Sequence, residues 1–194
     1  MTTIPGYRHG DPTLPASPVR PDDLERMKKT CLFGEADAAA LREAKEKLAP
    51  HVEAILDVWY GFVASQPHLV AAFAEPGGPP SAEYLGAVRR RFGQWILDTT
   101  SADYSPAWLD YQLEIGRRHH RIGKNRADGV EAADHIRFLD LIPLVYPIFA
   151  TIRPFLEQGG TPAARVDAMQ HAWLKSLLMQ ITLWSHPYVR EGDF

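Results

Sequence analysis

Cysteine is almost missing from this chain: Cys31 is the only one in 194 residues. A single thiol cannot close an internal disulfide. It also cannot build the cysteine frameworks of zinc fingers or iron–sulfur clusters. A reducing, cytoplasmic setting is therefore expected. Excess positive charge is missing too. Lys and Arg number 21 against 24 Asp and Glu, for a net charge of −3. No broad basic field is available to attract nucleic acid or an anionic membrane. The opening MTTIPGYRHG lacks the cationic start and apolar core of a secretory signal. No uninterrupted apolar run reaches the roughly 20 residues that a membrane helix needs. Strand signals are scarce, with no alternating run and no Asn-Gly hairpin. Finally, there is no phosphate-binding glycine loop, no GxSxG elbow, no HExxH and no carboxylate–His metal repeat. Nucleotide, hydrolase and zinc-protease chemistry lose their usual carriers.

What is present is a helical pattern. Residues 1–20 hold Pro5, Gly6, Gly10, Pro12, Pro15 and Pro18, a density that forbids regular structure and predicts an extended arm. Residues 21–194 then read as one domain. Pro21 followed by Asp22 and Asp23 suits a helix start. An Ala-, Lys- and Glu-rich run at 35–48 has high helix propensity. Pro50 can open the next helix, whose Val52, Ile55, Leu56, Trp59, Tyr60 and Val63 form a broad apolar face. A short turn follows Pro67, and EPGGPP at 75–80 breaks the pattern. Ser81 is a natural N-cap for a stripe of Tyr84, Leu85, Val88, Phe92, Trp95 and Ile96. Ser105 and Pro106 begin a helix to about residue 121. Residues 123–129 are a loop. A long apolar helix is predicted over 134–157, kinked at Pro143, Pro147 and Pro154 because each proline removes a backbone donor. Gly159 and Gly160 end it. Thr161 and Pro162 cap a last helix reaching Trp184. The expectation is an all-α domain of about seven or eight helices, compatible with several bundle types.

The chemically informative segment is WLDYQLEIGRRHHR at 108–121. On a helix His119 falls on the stripe of Trp108, Tyr111 or Gln112, and Ile115. His120 is turned away by about 100°. An inward imidazole can bind metal through one nitrogen while the other is hydrogen-bonded. One histidine cannot hold zinc, which takes four ligands. It can hold haem iron, because the porphyrin supplies the in-plane ligands. Spacing alone still favours a satisfied core histidine. His51, His68, His135, His171 and His186 fit the ordinary reading more strongly. Trp59 and Tyr60, with Phe62 nearby, and Phe92 are either core packing or the lining of a planar apolar ligand. In the second case the Tyr60 hydroxyl is a donor. Arg89, Arg90 and Arg91 form a solvated face from which one guanidinium can meet a carboxylate.

These segments resemble the protoglobins, single-domain haem proteins related to the sensor domains of globin-coupled sensors. The likeness runs through IPGY at 4–7, ILDVWYGFVAS at 55–65, RRRFGQWILDTT at 89–100, WLDYQLEIGRRHHR at 108–121, YPIFATIRPFL at 146–156 and LWSHPY at 183–188. It implies a globin-like helical sandwich with an extra N-terminal helix, and an extended N-terminal arm over the haem edge. It implies haem b with His119 as the iron ligand and O₂, CO or NO on the opposite side. Trp59, Tyr60 and Phe92 match distal positions. Val88 and Ile115 join the cofactor-binding set, and Leu141, Leu144 and Ile148 match positions lining the haem. Arg91 matches a position near a propionate. Pairing through the last two long helices implies a homodimer. One departure stands out: Leu144 lies where relatives often carry a large aromatic, and Asp140 and Pro143 interrupt the neighbouring run. A smaller side chain there predicts a larger pocket. The leading expectation is reversible gas binding, for sensing or scavenging. The competing readings are a haem enzyme with peroxidase-like, NO-consuming or carbene-transfer activity, and a haem-free helical scaffold.

Overall fold

The computed structural model describes residues 4–194, and its described residues hold ten α-helices and no strand. In order these are α1 (Pro21–Thr30), α2 (Glu35–Leu48), α3 (Val52–Ala64), α4 (Pro67–Val70), α5 (Ala82–Ser101), α6 (Pro106–His119), α7 (Phe138–Leu141), α8 (Val145–Thr151), α9 (Arg153–Leu156) and α10 (Ala163–Ser185). The caps follow local chemistry. Ser81 and Ser105 accept from the backbone N–H three residues on, Tyr84 and Trp108, each at 3.3 Å. Those side chains satisfy donors that a helix start leaves free. Pro50 falls in a 3₁₀ turn over Ala49–His51 that leads into α3.

Helix α10 is the central post. Met169, Trp173 and Met179 on it have no solvent exposure, and it packs on α2 and α6. Leu41, Leu48 and Leu56, from α2 and α3, complete the middle of the core. Two glycines let helices approach closely. A Cβ on Gly93 would sit 3.0 Å from Val52, and one on Gly116 would sit 2.9 Å from the Trp184 backbone. Buried polar groups tie the same helices. Trp95 Nε1 donates to Gln180 Oε1 at 2.6 Å, and Gln180 Nε2 donates to Thr99 and Ser176. Satisfied in this way, such groups specify one arrangement of α5 against α10.

The arm at 4–20 has turns but no helix or strand, and it is docked on the domain. Leu14 is buried, the Tyr7 hydroxyl donates to Asp98 at 2.7 Å, and Ser17 N donates to Asp110 at 2.7 Å.

One expectation needs correction. The continuous helix over 134–157 is three short helices, and 134–137 is not helical. The backbone there is committed elsewhere: Ala133 N donates to Ala74 O, and Ile136 N donates to His119 O at 2.7 Å. Beyond it, the three prolines divide the helix. Residues 138–156 are apolar enough overall for a membrane span, but Asp140 and Arg153 interrupt the run and it is divided into three short helices. Much of that apolar surface is outward, as in Leu139 and Tyr146, about 70% exposed, although Ile152 and Leu156 are core.

Candidate functional site

A cavity of about 470 Å³ opens between α3, α5, α6, α8 and α10. That falls within the range of about 300–1,000 Å³ typical of small-molecule and cofactor sites. The structure brings all ten sequence-selected residues to its lining: Trp59, Tyr60, Val88, Arg91, Phe92, Ile115, His119, Leu141, Leu144 and Ile148.

His119 occupies the last turn of α6. Its Nδ1 lies 2.8 Å from the Ile115 carbonyl. A carbonyl only accepts, so Nδ1 carries the proton and Nε2 keeps a free lone pair. Burial holds the imidazole below its usual pKa, with the Ile115 bond acting in the opposite sense and Lys124 and Arg118 adding to the lowering. The ring is therefore neutral at pH 7, the form that binds metal. It stacks on Trp184, with centroids 5.2 Å apart and planes within 13°. Trp184 is itself fixed, donating from Nε1 to buried Gln112 at 2.7 Å. The His119 carbonyl accepts from Ile136 N and faces the Tyr188 hydroxyl at 2.6 Å. That hydroxyl also lies 2.8 Å from Ile136 O, so one proton serves two carbonyls. Ring and backbone of His119 are thus held separately.

The other wall is aromatic. Phe92 meets Trp59 edge-on at 5.7 Å and Tyr60 at 6.5 Å. The Tyr60 hydroxyl has no hydrogen-bond partner among the described residues. Burial pushes its pKa up to about 12, against the pull of Arg89 and Arg91, so it remains a neutral donor. Leu144 packs in a small cluster with Trp59, Val63 and Leu69.

Arg91 does meet a carboxylate. Its two Nη atoms donate to Asp128 at 2.9 and 2.6 Å, a bidentate pair, and Nη1 also donates to Pro5 O. Arg118 donates to Gly6 O at 2.6 Å and to Glu114 at 2.8 Å. Both arginines line the cavity while gripping the arm.

The donor set fits haem. Among the described residues no three His, Cys, Asp or Glu side chains come together to hold a metal. One neutral imidazole nitrogen before an apolar aromatic cavity suits an iron whose remaining ligands come from a macrocycle.

The sequence model of the protoglobin family matches residues 20–194. The chain belongs to the protoglobin family. Membership of a globin family implies a haem protein. Among solved structures, the globin domain of a Geobacter sulfurreducens globin-coupled sensor has a similar fold, with a TM-score of 0.65 and 14% identity. The match covers 86% of this chain and 98% of that one. A comparison with curated protein sequences found no match.

Several residues around the cavity are not announced by the sequence. Trp184 reads as ordinary core, and nothing local announces that it stacks on His119. His68 and His135, treated as unremarkable, line the cavity, and His135 pairs with Asp134. Lys124 is 7% exposed, and its ammonium donates to Ala72 O, Asn125 Oδ1 and Ala133 O at 2.6–3.0 Å. Burial lowers its pKa to about 8. A lone lysine in a GKNRADG loop carries no signal for such a cage, because besides neighbouring Asn125 its acceptors are backbone carbonyls of Ala72 and Ala133 that only the fold brings near.

Proposed function

We propose that this protoglobin binds haem b through His119 Nε2 and takes O₂, CO or NO reversibly within the Trp59–Tyr60–Phe92 wall. The observation that carries this reading is the His119 tautomer: Nδ1–H is spent on Ile115 O, beside a cavity whose lining is mainly aromatic and aliphatic, with Arg91, Arg118 and other polar groups also lining it. If bound, haem would supply a redox-active iron able to take a diatomic ligand. The chain's residues do the rest. Trp184 and the Ile115 carbonyl orient the imidazole, and the Ile115 bond raises its basicity. Trp59 and Phe92 limit volume and exclude water. Tyr60 offers a neutral O–H to a polar ligand. Leu144 leaves more room than a large aromatic would. Arg91 is the residue assigned to a propionate, which competes with Asp128 for the same guanidinium. The arm covers the haem edge, supported by the grip of Arg91 and Arg118 on Pro5 and Gly6. The protein works as a cytoplasmic homodimer paired through α10 and the divided α7–α9 segment before it, where Leu178 and Tyr146 are exposed.

Titration of the apoprotein with haemin should saturate at one equivalent. The reduced complex should then shift its Soret band with CO. His119→Ala, purified without imidazole, should lose normal haem retention. An unchanged Soret band and CO spectrum in that variant would sink the assignment.

A further inference from the structure

A second basin, of about 520 Å³, lies between the N-terminal arm and the C-terminal half of α6. Four arginines line it: Arg8, Arg117, Arg118 and Arg126, with Glu114 as the one carboxylate. Two of the four are already matched. Arg8 pairs with Asp11 at 2.8 Å and donates to Thr13, and Arg118 pairs with Glu114 at 2.8 Å. Arg117 and Arg126 have no side-chain hydrogen bond or ion pair among the described residues. Two uncompensated guanidiniums therefore face one concave space in a chain whose net charge is −3.

The basin is built by backbone as well as charge. Gly123 forms part of its wall, and a Cβ there would sit 2.7 Å from Arg117 O. The turn after α6 therefore folds tightly against that helix and sets the loop bearing Arg126 beside it. On the arm side, Gly6 O holds Arg118 at 2.6 Å. Arg117 and Arg126 line this basin and not the haem cavity, so a haem propionate is not their partner. Arg118, Gly123 and Ala127 are shared by both linings, so the two sites have a common wall.

We infer that this basin binds a small phosphate-bearing anion between Arg117 and Arg126. Guanidinium forks match phosphate oxygens bidentately, and a ligand with two or more negative charges overcomes the adjacent Glu114 where a monocarboxylate does not. The inference does not depend on the haem assignment.

The test is isothermal titration of the full chain with pyrophosphate, with sodium sulfate at matched ionic strength as the screening control. Saturable one-to-one binding is expected, lowered at least about tenfold in R117Q/R126Q, which removes two charge-assisted contacts. R20Q/R26Q, two exposed arginines at α1, should bind as the parent does. Thermal unfolding of R117Q/R126Q should match the parent, because neither side chain is tied to the fold. Tighter binding of ADP than of pyrophosphate would support an organic diphosphate, and equal binding a free one. Citrate binding as tightly as pyrophosphate would overturn the phosphate assignment. Absence of saturable binding, or an unaltered affinity in R117Q/R126Q, would overturn the site.

Discussion

Two walls of the cavity are built in opposite ways. The α6–α10 wall is two long regular helices in near contact at Gly116, cross-linked by Trp184–Gln112 and closed by Tyr188 on the His119 carbonyl. The wall from Gly123 to Ile148 is a loop and short, proline-divided helices, held by single long-range bonds such as Ile136 N to His119 O and the Lys124 cage. The first fixes an imidazole to one orientation through many redundant contacts. The second places shape-determining side chains on chain that sequence change can reshape. On the proposed reading the iron would be held on the rigid side, and Leu144 and Ile148 on the adaptable side would adjust the pocket beside Trp59, Tyr60 and Phe92.

The contrast predicts a graded response. Gly116→Val should be the most damaging change, because the added methyls meet Trp184 backbone at a separation that no rotamer relieves. A loss of about 3 kcal/mol or more is expected in denaturant unfolding. A loss under about 1 kcal/mol would mean that the helices can separate and that the wall is not rigid. Lys124→Met should cost about 1–2 kcal/mol, since the half-buried Ala72 carbonyl loses its donor while Ala133 O keeps Asn125 Nδ2. It should also change the pH profile. With a folded pKa of about 8 against 10.5, the unfolded chain holds more protons between those values. Stability contributed by this group therefore rises as pH climbs from about 8 to 10.5, and Lys124→Met should flatten that rise. Tyr188→Phe should cost about 1 kcal/mol, because Ile136 N still satisfies the His119 carbonyl. Leu144→Phe should change stability least, by less than about 1 kcal/mol because the ring enters open cavity, while slowing CO rebinding after photolysis by reducing cavity volume. Unchanged rebinding would show that Leu144 does not set ligand access.

The same division governs what could be read from the sequence. On the rigid wall, Ser105 and Pro106 mark where α6 begins, and helical spacing turns His119 inward and His120 away. These are local rules, and the structure follows them. Trp184 stacking and the Tyr188 clamp are invisible locally, because they depend on how close Gly116 brings two helices distant in sequence. On the adaptable wall, the apolar run at 134–157 suggests a continuous helix. The stretch 133–136 is withdrawn from it by bonds of Ala133 to Ala74 and of Ile136 to α6, a competition that periodicity does not report. Arg91 reads as a carboxylate-binding guanidinium, yet its partner Asp128 lies in a loop that spacing cannot bring near.

The central claim is that His119 Nε2 holds the iron, and a cavity variant tests it most directly. His119→Gly removes the imidazole and leaves space for a free one beside Trp184. Its reduced absorption spectrum should differ from that of the parent, and added imidazole should restore it. A His119→Gly protein that gives the parent spectrum with no imidazole present would contradict the account.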